Sequence, residues 1–304
     1  MSNFAFNNPA FQQQDPRNVA TYPGGPQAAA RGAQTASFQH AGVDAAANAH
    51  LEGMYASPPA GAIETDRMTV EDTVWKTAAL FGILLVTAVI GWVWTLGGME
   101  LDPRQGVSMV PWMLGALGGF VLAMVITFTS RKKVRPALIF AYAALEGLFV
   151  GGISAFFEVI WPGIVMQATL ATVAVVGVTL ALFASGKVRA SKKMTKIVMI
   201  AMLGYLVFSL LNIVLMFTGV LPEGQQFGLL SQQVMGIPLG VIIGVLVVFM
   251  AAYSLVMDFD QIQQGVRNGA PRKYGWLGGF GIMVTVVWLY VEILRIIAIA
   301  RGSN

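Results

Sequence analysis

The chain contains seven long apolar segments, and no other feature constrains its fold as strongly. Each holds about 20 residues or more, which at about 1.5 Å of rise per residue is enough for a helix to cross a bilayer. The chain is 56% hydrophobic and only 11% charged, as is typical of integral membrane proteins. The sequence therefore predicts an all-α bundle of seven transmembrane helices, over residues 74–96, 108–129, 137–157, 163–185, 197–220, 234–257 and 276–300.

Positive charge is concentrated in the second, fourth and sixth loops. Loops that are rich in lysine and arginine stay in the cytoplasm, so we expect a cytoplasmic N-terminus and an external C-terminus. We attribute the net charge of +4 to this topology and to lipid headgroups, and we expect no nucleic-acid partner. The basic loop residues are Arg131, Lys132, Lys133, Arg135, Lys187, Arg189, Lys192, Lys193, Lys196, Arg267, Arg272 and Lys273.

The first 67 residues differ from the rest of the chain. They are rich in Ala, Gln, Asn, Gly and Pro and show no helical or alternating period, so we expect a disordered cytoplasmic tail (1–67) before a membrane domain (68–304). The tail has no apolar stretch typical of a secretory signal. It is either a solvated extension or a carrier of short partner motifs. Thr69 followed by Asp72 resembles a capping box and predicts the start of the first helix there.

Several kinds of chemistry are excluded by residue type. The chain has no cysteine, and its two histidines, His40 and His50, lie in the tail, so thiolate or histidine sites cannot form in the membrane part. We expect no cofactor and no enzymatic activity, because no HExxH, P-loop or GxSxG pattern is present. A retinal-type photoreceptor is disfavoured, since the seventh segment contains no lysine.

Two acids lie at membrane depth or at its edge, where ionisable groups are costly and usually functional. The sixth apolar segment runs into Asp258 without a turn residue, which predicts an acid at the membrane boundary on a continuing helix. Glu292 lies inside the seventh segment, with Arg295 three positions later on the same helical face. Glu292 therefore pairs either with Arg295 or with Asp258. A carboxylate pair would share a proton, sense pH and offer oxygen ligands to Ca²⁺, or act as an aspartic-type dyad at hydrogen-bonding distance.

Two further acids are candidates for a cation pathway. Glu146 lies near the middle of the third segment, where it is either a neutral carboxyl group bonded to a neighbouring helix or an acid that lines a path. Asp260 is either a solvated cytoplasmic residue or an auxiliary cation ligand.

Glycines recur at a spacing of four residues, which predicts close contact between helices. They are Gly115 and Gly119, Gly147 and Gly151, Gly236, Gly240 and Gly244, and Gly275 and Gly279.

Two short motifs resemble the Bax inhibitor-1 family, in its bacterial branch. Residues 255–262, Leu-Val-Met-Asp-Phe-Asp-Gln-Ile, are similar to the family's aspartate-x-x-glutamine-isoleucine end of the sixth helix. Residues 288–293, Trp-Leu-Tyr-Val-Glu-Ile, are similar to its leucine-tyrosine-x-aspartate motif in the seventh. The resemblance covers about residues 70–304 and leaves the tail outside. It implies six helices around a central one, in the inner (plasma) membrane of a bacterium.

The resemblance also implies a function, a pH-sensitive calcium leak. Asp258 and Glu292 would form its proton-sharing sensor, and Arg131 best fits the arginine that latches the closed state, with Lys132 or Lys133 as alternatives. Glutamate replaces the usual aspartate at position 292, and the loop between the acids is longer than in the family. Glu292 also falls past the midplane, so a later start of the seventh helix, near Gly281, or an inward sixth helix would be needed to join the acids.

Two functions follow from these features. The first is a cation leak gated by the two acids, with the bilayer and cations such as transiently bound Ca²⁺ as its partners. The alternative is a non-transporting membrane regulator that binds other membrane proteins, such as a quality-control protease, through its tail and its lipid-facing surface.

Overall fold

The described part of the chain forms seven long helices, as the apolar segments predict. The structure is a computed structural model that describes residues 66–97, 106–131, 133–218 and 227–302. All seven helices are long and apolar enough to cross a membrane, which confirms the predicted fold class. The helices are α1 (Val70–Thr95), α2 (Val110–Ser130), α3 (Pro136–Ile160), α4 (Ile164–Ala184), α5 (Lys192–Thr218), α6 (Leu239–Arg267) and α7 (Tyr274–Gly302). Apart from its last two residues, the predicted tail lies outside the described residues.

A short hairpin precedes α6. A 3-10 turn, Gly228–Ser231, leads into β1 (Gln233–Val234), which pairs antiparallel with β2 (Ile237–Pro238). Helix α6 therefore begins at Leu239, later than the predicted residue 234. Proline has no N–H and is tolerated at the edge of a helix rather than inside it, which explains this start.

Helix α6 continues past the apolar segment, as the absence of a turn residue before Asp258 predicts. The apolar segment ends at residue 257, yet the helix continues to Arg267. No proline interrupts this extension, and Ile262 and Gly265 continue the buried face of the helix against the bundle. Tertiary burial thus extends the helix beyond the end of its apolar run.

Helix α7 is the centre of the bundle. It is the most extensively buried of the seven helices, and it packs against α1, α3, α4 and α6. One apolar core lies around Leu80, Tyr142 and Phe280 on α1, α3 and α7. A second lies around Ala168, Ala251 and Leu294 on α4, α6 and α7. This arrangement agrees with a central helix, as the resemblance implies.

Glycines allow these helices to approach closely. A Cβ atom at Gly151 of α3 would lie 1.9 Å from the Ala88 carbonyl oxygen of α1, and one at Gly244 of α6 would lie 2.3 Å from Cγ1 of Ile296. Similarly close neighbours surround Gly115, Gly119, Gly147, Gly240, Gly275 and Gly279, so the packing prediction is confirmed for these positions. It is wrong for Gly236, which occupies the hairpin turn with a φ of +82° and open space around it.

The two ends of the bundle are joined by different residues. At one end the start of α1 contacts the loop between α6 and α7: Met68 N donates to Ala270 O at 2.7 Å, and Arg272 donates from Nε and Nη2 to Asp72 Oδ1 at 3.0 and 2.9 Å. Because Arg272 donates these hydrogen bonds to the Asp72 carboxylate, the pKa of the Arg272 guanidinium group is raised. The opposite end is joined by Arg301, which donates to Pro162 O at 2.9 Å. The start of α1 therefore lies beside the basic sixth loop, as the charge distribution predicts.

Candidate functional site

Asp258 lies inside the protein rather than at a helix end. Its side chain is on α6, well before the end of that helix, and the residue is only 2% exposed. The Thr285 hydroxyl of α7 donates a hydrogen bond to Asp258 Oδ2 at 2.6 Å. Helix α6 continues past Asp258, as the sequence predicts, and α7 covers the acid, so that Asp258 lies inside the bundle.

Glu292 is equally buried, at 4% exposure, but it has charged and aromatic partners. Arg295 donates from Nη2 to Glu292 Oε1, which confirms the intrahelical pair that the spacing predicts. The Tyr205 hydroxyl of α5 donates to Glu292 Oε2 at 3.0 Å, and the Arg295 guanidinium carbon lies 5.7 Å from the centre of the Tyr205 ring. Glu292, Arg295 and Tyr205 thus form one polar cluster, which we call the Glu292 cluster.

The two acids lie at different levels of one contact surface. Thr285, which marks the level of Asp258, and Glu292 are about two turns apart on α7 and so share one face at an axial separation of about 10 Å. Glu292 also faces α6, since a Cβ atom at Gly244 would lie 3.5 Å from its Oε1 atom. We call this surface, from Asp258 and Thr285 to Gly244 and Glu292, the α6–α7 seam.

The structure does not join the two acids directly. Within the described ranges, no hydrogen bond connects Asp258 with Glu292, and each carboxyl group has its own partners. Helix α7 begins at Tyr274 rather than near Gly281. Although α6 holds Asp258 inside the bundle, the carboxyl group accepts a hydrogen bond from Thr285 and has none with Glu292. The shared-proton sensor and the aspartic-type dyad both require a contact that this conformation lacks.

The other predicted site residues lie away from the seam acids. Arg131 is exposed directly after α2, and the ion pairs of the described residues are Asp72 with Lys76, Asp72 with Arg272, and Glu292 with Arg295. Arg131 therefore forms no ion pair with Asp258 in this conformation. Of its two alternatives, Lys132 lies outside the described residues, and Lys133 likewise forms no ion pair there.

Asp260 and Glu146 have separate surroundings. Asp260 is half-buried and accepts a hydrogen bond from Gln264 Nε2 at 3.0 Å. Glu146 is within hydrogen-bonding reach of Tyr142 on the same helix, and its Oε2 atom would lie 3.0 Å from a Cβ atom at Gly119 of α2. It therefore faces the α2–α3 contact and not the α6–α7 seam.

The sequence motifs do not indicate two residues that bond the buried acids: Thr285, which bonds Asp258, and Tyr205, which bonds Glu292. Both are polar side chains inside apolar segments, and this is the only signal that could have singled them out. Among the described residues, no three His, Cys, Asp or Glu side chains lie together as metal ligands would.

These features define a multi-pass membrane protein with two buried acids between its sixth and seventh helices. The sequence matches the family described as Bax inhibitor 1 like over residues 8–302, and the chain belongs to that family. The match begins at residue 8, so the expectation that the tail lies outside the resemblance was wrong. Comparisons with curated proteins and with solved structures find no match.

Proposed function

We propose that this protein is a pH-sensitive cation leak that passes Ca²⁺ along the α6–α7 seam. The observation that carries the proposal is that Asp258 and Glu292, each less than 5% exposed, lie on one seam between helices that are long enough to span a membrane. Carboxyl groups at membrane depth are costly to keep, and they commonly mark ion or proton paths. The family membership supports the same function.

In this proposal the two acids act in sequence. An ionised carboxylate offers the oxygen ligands that Ca²⁺ prefers, whereas a protonated one does not. Two carboxylates at separate levels of the seam would each bind a cation weakly enough for it to leave again, as conduction requires. Asp258 is the proton-sensitive gate, and Glu292 becomes a ligand when it leaves Arg295. Because Arg131 does not contact Asp258 here, the proposal does not depend on that latch, and it requires neither Glu146 nor Asp260.

Calcium flux into proteoliposomes tests this function. We expect Asp258→Asn to reduce flux several-fold and to remove its dependence on pH between neutral and mildly acidic buffer, because asparagine cannot gain or lose the proton. Asp260→Asn is the matched control, since it removes an acid from the same helix that accepts a bond only from Gln264. If Asp258→Asn leaves both the flux and its pH dependence unchanged, the proposed function is wrong.

A second candidate function is that of a membrane regulator which binds other membrane proteins through the tail. It is favoured by the family match, which includes the tail from residue 8 onward. Deleting residues 1–67 separates the two functions: a scaffold loses its partners in pull-down experiments from membranes, whereas a leak keeps its calcium flux. For either function we propose the bacterial inner membrane as the location, and we propose no catalytic step.

A further inference from the structure

A cavity of about 540 Å³ lies between α1 and α4, on the side of α7 that does not face α6. Helices α1 and α4 form its walls and have at most marginal contact with each other, while α3 and α7 form its floor. Val89 of α1 and Val173 of α4 stand on the walls and are each 63% exposed, so the cavity is continuous with the lipid-facing surface. We call it the α1–α4 groove.

The lining of the groove suits a hydrocarbon and not a polar ligand. No charged side chain lines the described part of it, and its hydroxyl groups already have partners within the protein. The Ser154 and Tyr290 hydroxyls are 2.7 Å apart, Thr169 bonds to Tyr290, and the Thr172 hydroxyl donates to Ala168 O at 2.7 Å. Each of these hydroxyl groups is therefore already bonded within the protein, and the rest of the lining is mostly apolar.

The length of the groove matches one leaflet of a bilayer. Along α1 it extends from Phe81 to Trp92, near the end of that helix, which is about 16 Å at 1.5 Å per residue. This length is about half of the roughly 30 Å of hydrocarbon in a bilayer. Trp92 lies where an aromatic residue at the membrane interface is expected, so the groove runs from the interface to the middle of the membrane.

We propose that the α1–α4 groove binds one acyl chain of a membrane phospholipid. An empty apolar space of this size at membrane depth would forfeit the contacts that close packing provides. Occupation of the groove by a helix of a second copy is the competing outcome, and the experiment below separates it from lipid binding. The chain enters α1 at the end of that helix opposite Trp92 and the groove.

The bound chain would contact the central helix on the face opposite the seam. Val286, Val287 and Tyr290 of α7 line the groove, while Thr285 and Glu292 of the same helix face α6. A lipid in the groove therefore packs against α7. This helix carries Glu292, and its Thr285 donates a hydrogen bond to Asp258. This inference does not rest on the proposed function.

Lipid retention tests the groove. The protein is reconstituted in phosphatidylglycerol vesicles with brominated acyl chains, extracted in mild detergent and analysed by native mass spectrometry. We expect about one brominated lipid to remain on each chain, as for a single groove. Val89→Trp fills the groove and should reduce retention several-fold, and Val173→Trp should do the same from the opposite wall.

Val86→Trp is the matched control, because Val86 is on the same helix, is 64% exposed and does not line the groove. It should retain lipid as the wild type does. Lysophosphatidylglycerol, which has one chain, should compete with the brominated lipid, whereas glycerol phosphate should not. The proposal is wrong if Val89→Trp and Val86→Trp retain equal amounts of lipid, or if glycerol phosphate competes with the brominated lipid. It is also wrong if the protein is a dimer that Val89→Trp dissociates.

Discussion

Asp258 and Glu292 are both buried acids on the α6–α7 seam, yet they are stabilised in different ways. Asp258 is held by one neutral hydroxyl group, whereas Glu292 is held by the Arg295 guanidinium group and the Tyr205 hydroxyl group. Neutralising Asp258 leaves no cation unpaired. Neutralising Glu292 leaves Arg295 without its carboxylate in a site of low dielectric, which is strongly unfavourable.

This difference suggests two roles for two acids that look equivalent in the sequence motifs. Asp258 can change its charge at little structural cost, which suits a proton-sensitive gate. Glu292 leaves its arginine only when the contact between α5 and α7 opens, which suits a latch that frees the carboxylate as a cation ligand on opening. Four substitutions test the comparison, and all are measured as the free energy of unfolding in mild detergent.

Arg295→Met should have the largest effect. It leaves the buried Glu292 carboxylate without its cation, and breaking a buried pair in this way costs about 3–5 kcal/mol. Adding Glu292→Gln to it should recover most of the loss, because the buried charge is then removed as well. Arg267→Met is the control, since that arginine bonds Gln263 at the exposed end of α6. Equal losses from Arg295→Met and Arg267→Met would show that the pair is not buried as described.

Thr285→Val should have the next largest effect, of about 2 kcal/mol, because Asp258 would lose its one hydrogen-bond donor while remaining buried. Thr285→Ser keeps the hydroxyl group and should recover most of this stability. Thr179→Val is the matched control, since the Thr179 hydroxyl bonds only within its own helix, to Val175 O. If Thr179→Val is as destabilising as Thr285→Val, the hydrogen bond to Asp258 contributes no more to stability than a hydroxyl bond within one helix.

These contacts mark the limit of what the sequence could predict. The seven helices follow from segment length and hydropathy, and the pair of Glu292 with Arg295 follows from a spacing of three residues on one helix. The bonds from Thr285 to Asp258 and from Tyr205 to Glu292 join different helices. They depend on how each helix is rotated and how far it is displaced along its neighbour, and neither quantity is encoded in local spacing.

The same limit explains the absent contact between Arg131 and Asp258. The missing turn residue before Asp258 predicts that α6 continues, but not that the polar stretch after Asp258 is buried in the bundle. A contact between Arg131 and Asp258 requires the end of α2 to approach the interior of α6. A motif that places both residues near the cytoplasmic face does not specify that approach.

Tyr205→Phe should have a smaller effect on stability, of about 1 kcal/mol, as is usual for one hydrogen bond between helices in a membrane. Its distinctive effect should be on α5, where only Val198, Met202 and Asn212 are buried. We expect faster amide hydrogen exchange in that helix. Tyr290→Phe removes a comparable buried bond, to Ser154, and should leave exchange in α5 unchanged. Unchanged exchange in Tyr205→Phe would show that the Glu292 cluster does not hold α5 in place.

Asp258→Asn should have the smallest effect on stability although the residue is among the most buried in the bundle. Asparagine keeps an oxygen that can accept the Thr285 hydrogen bond, and any cost of burying a charge disappears. The unpaired amide hydrogens of asparagine are a cost of similar size, so we expect the free energy of unfolding to change by no more than about 0.5 kcal/mol. Asp260→Asn, at a half-exposed site, should be equally mild. A loss from Asp258→Asn as large as that from Arg295→Met would mean that Asp258 has an essential structural partner, and the distinction between a gate and a latch would fail. A mild loss together with altered calcium flux would assign Asp258 to function rather than to folding.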